Sequence, residues 1–347
     1  MTTRSVLALW GAIGLTLVGC RREGGETTPP ESKRVVVYCA QDREFAEPVF
    51  QEYEKRKGVE ILPKFDVEST KTVGLTNLLI TEAARPRCDL FWNNEILNTL
   101  RLKDKGVLVP FQPVHAADLP DTFKAKDGTW YGFAARARVL IVNTQLVAKA
   151  DLPKGIHDLL DPKWKGKIGI AKPLFGTTAT QAACLFAVWG DERAKAFFHD
   201  LKANGVQVLS GNKQVATAAG SGQIVFGLTD TDDAMGEVDA GSPVAIIYPD
   251  REPDGLGTLF IPNTLALIKG APHLEAAKAL ADDLLSPAVE AALANGPSAQ
   301  IPLLKSTSIS ARVETPKTVH AMEVDFEKAA KIWEQVAAFL NAEFGGG

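Results

Sequence analysis

Residues 35–61 read VVVYCAQDREFAEPVFQEYEKRKGVEI, and this stretch decides the fold class. Val35, Val36, Val37 and Tyr38 are apolar without alternation, the pattern of a strand covered on both faces. Phe45, Val49, Phe50 and Tyr53 then recur at helical spacing, which predicts a helix over residues 44–57 that Gly58 ends. Glu60–Phe65 returns to strand. Further on, Val73, Leu75, Leu78 and Leu79 predict a helix over 70–82, residues 89–92 a third strand, and residues 96–104 a short helix closed by Gly106. Strands alternating with amphipathic helices imply an α/β fold with parallel-rich sheets flanked by helices.

The same reading extends downstream. Residues 131–143 predict a long strand crossing into another region. Strands are expected at 167–171, 206–209, 224–228, 244–248, 259–261 and 264–268. Helices are expected at 178–189, 192–203, 212–220, 273–285, 288–293 and 321–344. The last carries Phe326, Ala330, Trp333, Val336 and Leu340 on one side. Cys39 closes the first strand and Cys88 opens the third. If those strands are parallel neighbours, the two thiols lie at opposite ends, about 10 Å or more apart, beyond disulfide reach.

With 347 residues the chain is long enough for two domains. Hydrophobic residues at 46% and charged residues at 23% are globular values, which excludes a disordered chain. Lys+Arg 38 against Asp+Glu 42 gives a net charge of -4 with no basic block, which argues against a nucleic-acid partner. Residues 1–20 read as a lipoprotein signal peptide: Arg4, an apolar stretch over 5–18, then Leu17-Val18-Gly19-Cys20. That ending resembles a lipobox, in which the Cys20 thiol takes the lipid and anchors the chain to a membrane of the cell envelope. Residues 21–33 have tether composition.

Three stretches carry a family resemblance. They are the opening just quoted, DGTWYGFAARARVLIVNT at 127–144, and PNTLALIKGAPHLEAAKALADDLLSPAVEAAL at 262–293. The chain resembles the type-2 periplasmic solute-binding proteins of ABC importers, most closely their ferric-ion-binding branch. The resemblance implies two lobes either side of a hinge, with the ligand cleft between them. It assigns residues 34–138 plus 262–304 to lobe 1 and 139–261 to lobe 2, with a C-terminal helical segment, 305–347, packed on both. It also implies a monomer that delivers its solute to an ABC permease.

The loops beyond the carboxyl ends of the strands are where such a fold binds ligands. Asp230, Asp232 and Asp233 follow a buried strand, and three neighbouring carboxylates repel one another unless a cation or donors offset them. In ferric-binding relatives this loop carries paired tyrosines; Asp232 and Asp233 stand at those positions. The resemblance matches Asp42 to a histidine ligand and Glu68 to a glutamate ligand, so Asp42, Glu68, Asp232 and Asp233 form the expected metal set. Asp residues also cap helices, which is the alternative for Asp230 and Asp233. Thr177 and Thr178 precede a helix and suit an anion; the resemblance adds Asn212 to that anion loop. Arg43, Lys71, Arg136, Arg138 and Lys213 can add charge, and Asn94 completes the expected ligand set.

The expected cargo is therefore iron(III) or another hard cation with a small anion. The alternatives are an organic cation held against Trp92 or Trp130, an aminophosphonate or phosphate-type ligand, and a role as ligand sensor for a membrane receptor. No nucleophile elbow, P-loop or zinc pattern occurs, so no catalytic residue or catalytic cofactor is expected and the chain reads as a binding protein rather than an enzyme.

Overall fold

A computed structural model describes residues 33–66 and 70–346. Cys20 and Glu68 lie outside the described residues. The first lobe begins with β1 (Arg34–Cys39), α1 (Arg43–Lys57), β2 (Glu60–Phe65), α2 (Val73–Thr81), β3 (Leu90–Asn93), α3 (Leu97–Asp104) and the short β4 (Leu108–Val109). The crossing strand β5 (Tyr131–Asn143) leads to β6 (Ile168–Ala171), α4 (Gly176–Trp189), α5 (Asp191–Ala203) and β7 (Gln207–Leu209). Next come α6 (Asn212–Gly220), β8 (Phe226–Asp230), α7 (Thr231–Asp239) and β9 (Val244–Ile247). The return strand β10 (Phe260–Ile268) is followed by α8 (Leu274–Leu284), α9 (Pro287–Asn295), α10 (Phe326–Lys331) and α11 (Trp333–Phe344).

The strand order is β2-β1-β3-β10-β5-β8-β6-β7, with β4 added to β10 and β9 to β5. Pairing is parallel in the two flanks and antiparallel wherever β5 or β10 takes part. The first part of β5 pairs with β10 and the second part, from Arg138, pairs with β8. One strand therefore belongs to both lobes, and all 13 of its residues are buried. This is the two-lobed arrangement that the resemblance implies.

Local sequence explains where the elements end. Gly58 adopts φ 62 and its N–H reaches Glu54 O, closing α1, while Lys55, Arg56 and Lys57 suit the negative end of the helix dipole. Val37 pairs with Leu90 and Cys39 with Trp92, so Cys39 and Cys88 are at opposite ends of adjacent parallel strands. Both are free buried thiols, as is Cys184.

α4 starts at Gly176, so Thr177 and Thr178 lie in its first turn rather than before it, and three further departures from expectation shape the surroundings. The strands expected at 259–261 and 264–268 are one strand, β10, whose register slips between Ile261 and Asn263. Pro262, which has no N–H to give the ladder, accounts for the slip. The expected helix over 321–344 is two: Asp325 caps α10 by accepting the Lys328 N–H at 2.9 Å, and α11 starts after Ile332. α10 packs on both α3 and α4, so it spans the two lobes. The strand expected at 224–228 runs two residues later, which carries Asp230 to its end.

Opposite the β10 slip, Ala134 takes φ 43. Glu290, fully buried on α9, holds this bend: its carboxylate accepts from Ala134 N at 2.9 Å, Leu303 N at 2.8 Å, Leu304 N at 2.9 Å and the Thr307 hydroxyl at 3.0 Å. Glu290→Ala is expected to cost about 3–5 kcal/mol in urea unfolding, because three buried main-chain donors lose their acceptor. A loss under about 1 kcal/mol would show that water replaces the carboxylate there.

Candidate metal and solute site

Arg136 and Arg138 are two residues apart on β5 and so project to the same face of the strand. Both are buried, at 2% and 0% exposure. That is tolerable only with charged and polar partners, and these come from both lobes. Arg138 Nη1 lies 2.7 Å from Asp230 Oδ1. Its other contacts are Gln181 Oε1 at 2.8 Å, Thr177 Oγ1 at 3.1 Å, Asn212 Oδ1 at 3.1 Å and Thr178 Oγ1 at 3.2 Å. Thr177 donates to Asp230 Oδ2 at 2.5 Å, and Asn212 Nδ2 donates to the same oxygen at 3.0 Å.

Arg136 faces more charge. Its Nε is 3.2 Å from Asp232 Oδ2, Nη2 donates to Gln41 Oε1 at 2.7 Å, and Nη1 donates to the Asn94 carbonyl at 3.2 Å. Burial alone would lower its pKa; Asp232, Asp230, Asp42 and Asp233 together raise it. Asp232 touches the guanidinium, and the other three carboxylates act on it through their charge. Asp42, at the start of α1, is bound by Lys71 Nζ at 2.6 Å. Burial pushes the Asp42 carboxyl up, but Lys71 more than offsets this and holds it below the ordinary value.

Asp230, Asp232 and Asp233 bring one ligand oxygen each to within 4.8 Å of one another, the single such group of His, Cys or carboxylate residues among the described residues. Burial pushes Asp232 up to about 6, against the pull of Arg136 and with repulsion from Asp230 and Asp42. Asp233 is raised well above the usual carboxylate range by desolvation and then by Asp232, Asp42 and Asp230. Burial leads both shifts, and mutual repulsion among the carboxylates adds to them. Hard cations take carboxylate oxygens, so the trio is a fitting ligand set for one.

The lobes touch around this point. Thr180 of α4 donates to Glu95 Oε2 at 2.8 Å, Gly176 N reaches Lys71 O at 3.3 Å, and Lys213 meets Glu44 at 2.7 Å on the rim. A family model described as "Bacterial extracellular solute-binding protein" matches residues 89–329. The chain belongs to this family. It is a binding protein and not an enzyme.

Similar proteins agree with the architecture of this solute-binding protein. Iron uptake protein A1 of a Synechocystis strain is 23% identical over 278 residues, which is 77% of this chain and 75% of that protein. Iron-bound HitA from Pseudomonas aeruginosa superposes with a TM-score of 0.79 at 21% identity, covering 88% of this chain and 99% of that one. AfuA from Actinobacillus pleuropneumoniae, with fructose-6-phosphate bound, gives 0.81 at 21% identity, covering 90% and 99%.

In this solute-binding protein the structure brings Asp42, Asn94, Thr177, Thr178, Asn212, Asp230, Asp232 and Asp233 to the interlobe region. Arg43 departs from the expected ligand set. It is mostly exposed, pairs with Glu47 at 3.0 Å and lies over the Phe65 ring. Asp230 is not an ordinary helix cap: it occupies the cap position of α7, yet its side chain makes no capping bond and is given to Arg138 instead. The Asn94 Oδ1 is buried without a partner among the described residues. Trp92 is packed between Phe50 and Phe133, and Trp130 is buried in the core, so neither indole offers an open face to an organic cation. Gln41 and Gln181 were not singled out from sequence. Gln181 follows Thr177 by four residues on α4, and that spacing was the available signal.

Proposed function

We propose that this chain binds a hard cation, iron(III) foremost, together with a small anion outside the cytoplasm, and passes it to an ABC permease. The observation that carries the reading is the oxygen cluster of Asp230, Asp232 and Asp233 at the junction of the lobes. The names of iron-binding relatives support it. Asp232 and Asp233 replace the paired tyrosines of that branch by ligands of equally hard character. Asp42, and Glu68 outside the described residues, would complete the set, with Asn94 Oδ1 as a neutral donor. The anion would take the first-turn N–H groups of α4, which a helix leaves without internal partners. The Thr177 hydroxyl is already committed to Asp230, Arg138 and Asn212.

The lobes are proposed to run over 34–138 plus 262–304 and over 139–261. Lipidated Cys20 is proposed to hold the monomer at a membrane of the envelope, with residues 21–33 as tether.

A second reading rests on the two guanidiniums, which suit a phosphate-type solute such as a sugar phosphate. Titration calorimetry against ferric citrate and against fructose 6-phosphate, from pH 5 to 8, separates the two. A cation must displace protons from both Asp232 and Asp233, so its affinity should rise with pH across this range and fall as pH drops through about 6, where Asp232 also takes up its proton. An anion gains from protonation, so its affinity should rise over the same interval. Metal analysis of protein purified from its own envelope checks the cargo directly; protein without iron that binds only the sugar phosphate would replace the first reading by the second.

A further inference from the structure

Arg136 is the residue whose side chain reaches both walls of the site. From the first lobe it takes Gln41, on the loop after β1, the Asn94 carbonyl, after β3, and Asn263 Oδ1 of β10 at 3.4 Å. From the second lobe it takes Asp232, in the first turn of α7, at 3.2 Å. Both partners of that ion pair are almost wholly buried, with side-chain exposures of 2% and 3%. A buried carboxylate needs a positive partner or a proton, and here the protein provides the partner itself. The Nε contact is close but poorly aligned: Nε has no hydrogen bond of good geometry. The guanidinium is thus hydrogen-bonded to the first lobe and held to the second by a buried ion pair. A group placed this way can let go of Asp232 without losing its other bonds.

We propose that Arg136 is a tethered internal cation that holds the two lobes together through Asp232, and that an incoming cation competes with it for that carboxylate. The closure half stands on the contacts alone. The competition half rests on the cation reading above. Two consequences follow. Closure does not depend on cargo, so the solute-stripped chain stays compact. Cargo affinity is held down by the exchange, which eases release to the next component.

The test uses the mature chain, dialysed against citrate and EDTA and then against buffer. X-ray scattering is expected to give the compact radius of gyration for wild type and for Arg136→Lys, which keeps the charge. Arg136→Gln is expected to shift to a larger radius, while circular dichroism shows it folded. If Arg136→Gln does not fold, the double variant R136Q/D232N removes both charges, leaves no lone buried ion, and should show the same expansion. A wild type already expanded, or variants as compact as wild type, overturns the closure half. Ferric citrate titration then reads the competition: R136Q should bind about tenfold tighter or more, since one opposing charge is gone from the site. Wild type that binds iron while R136Q binds equally or more weakly overturns the competition and leaves the cation reading standing. Wild type that binds no iron overturns the cation reading and the competition together, and the scattering result still decides the closure half.

Discussion

Replacing Asp232 and Asp233 together by asparagine should remove ferric-ion binding while the protein stays folded. The two side chains keep their volume, and Arg136 keeps its bonds to Gln41 and the Asn94 carbonyl when Asp232 is neutral. What is lost is the pair of charged oxygens beside Asp230. Outer partners of metal ligands typically cost 10–100-fold when removed, so loss of two direct ligands should exceed about 100-fold. Calorimetry against ferric citrate at pH 7.5 is the measurement (about 7.5 keeps both carboxyls as ionised as the site allows). Unchanged affinity would place the metal elsewhere in the chain.

Arg138→Met should be the most damaging single change to stability among the polar residues of the site. The guanidinium makes five polar contacts, to Asp230, Gln181, Thr177, Asn212 and Thr178, and is fully buried. Methionine fills much of the space but leaves the Asp230 side chain in the interior with two neutral donors, Thr177 and Asn212. Breaking a buried ion pair from one side costs about 3–5 kcal/mol. Urea unfolding measures it, and the double variant R138M/D230N should recover part of the loss, because no lone charge is then buried. A single-variant cost under about 1 kcal/mol, or no recovery in the double, would show that water or a shifted side chain already serves Asp230.

The α/β architecture was legible because each element carries its own periodicity. The unbroken apolar run of Val35 to Tyr38 and the stripe of Phe45, Val49, Phe50 and Tyr53 required no tertiary knowledge. The β10 slip was not legible as one strand, because Pro262 reads locally as a boundary, and only pairing with β5 on its far side keeps the chain extended. The final helices hide their division for a related reason: the stripe from Phe326 to Leu340 is continuous in pattern, Asp325 sets only where α10 starts, and the break falls at Ile332.

The candidate site was half legible. Carboxylates after a buried strand announced unbalanced charge, and Asp42, Asp230 and Asp232 do act on Asp233 by repulsion. What sequence could not supply was the balance. Arg136 and Arg138 alternate with alanines in a strand whose every residue is buried, so nothing local says which way they project. Their pairing with acids some 92 and 96 positions away depends on β8 and α7 being brought against β5, and that is a property of the sheet order.

The position of β10 between β3 and β5 carries a consequence for biosynthesis. As the chain emerges from the ribosome, β3 and β5 appear long before the strand that joins them, since Phe260–Ile268 follows the whole second lobe. Until then β3 presents an unpaired edge rich in Leu90, Phe91 and Trp92, the kind of surface on which nascent chains adhere to one another. The first lobe therefore has to wait for the second, and an escort that shields this edge until then would be acting on the slowest-closing seam of the molecule.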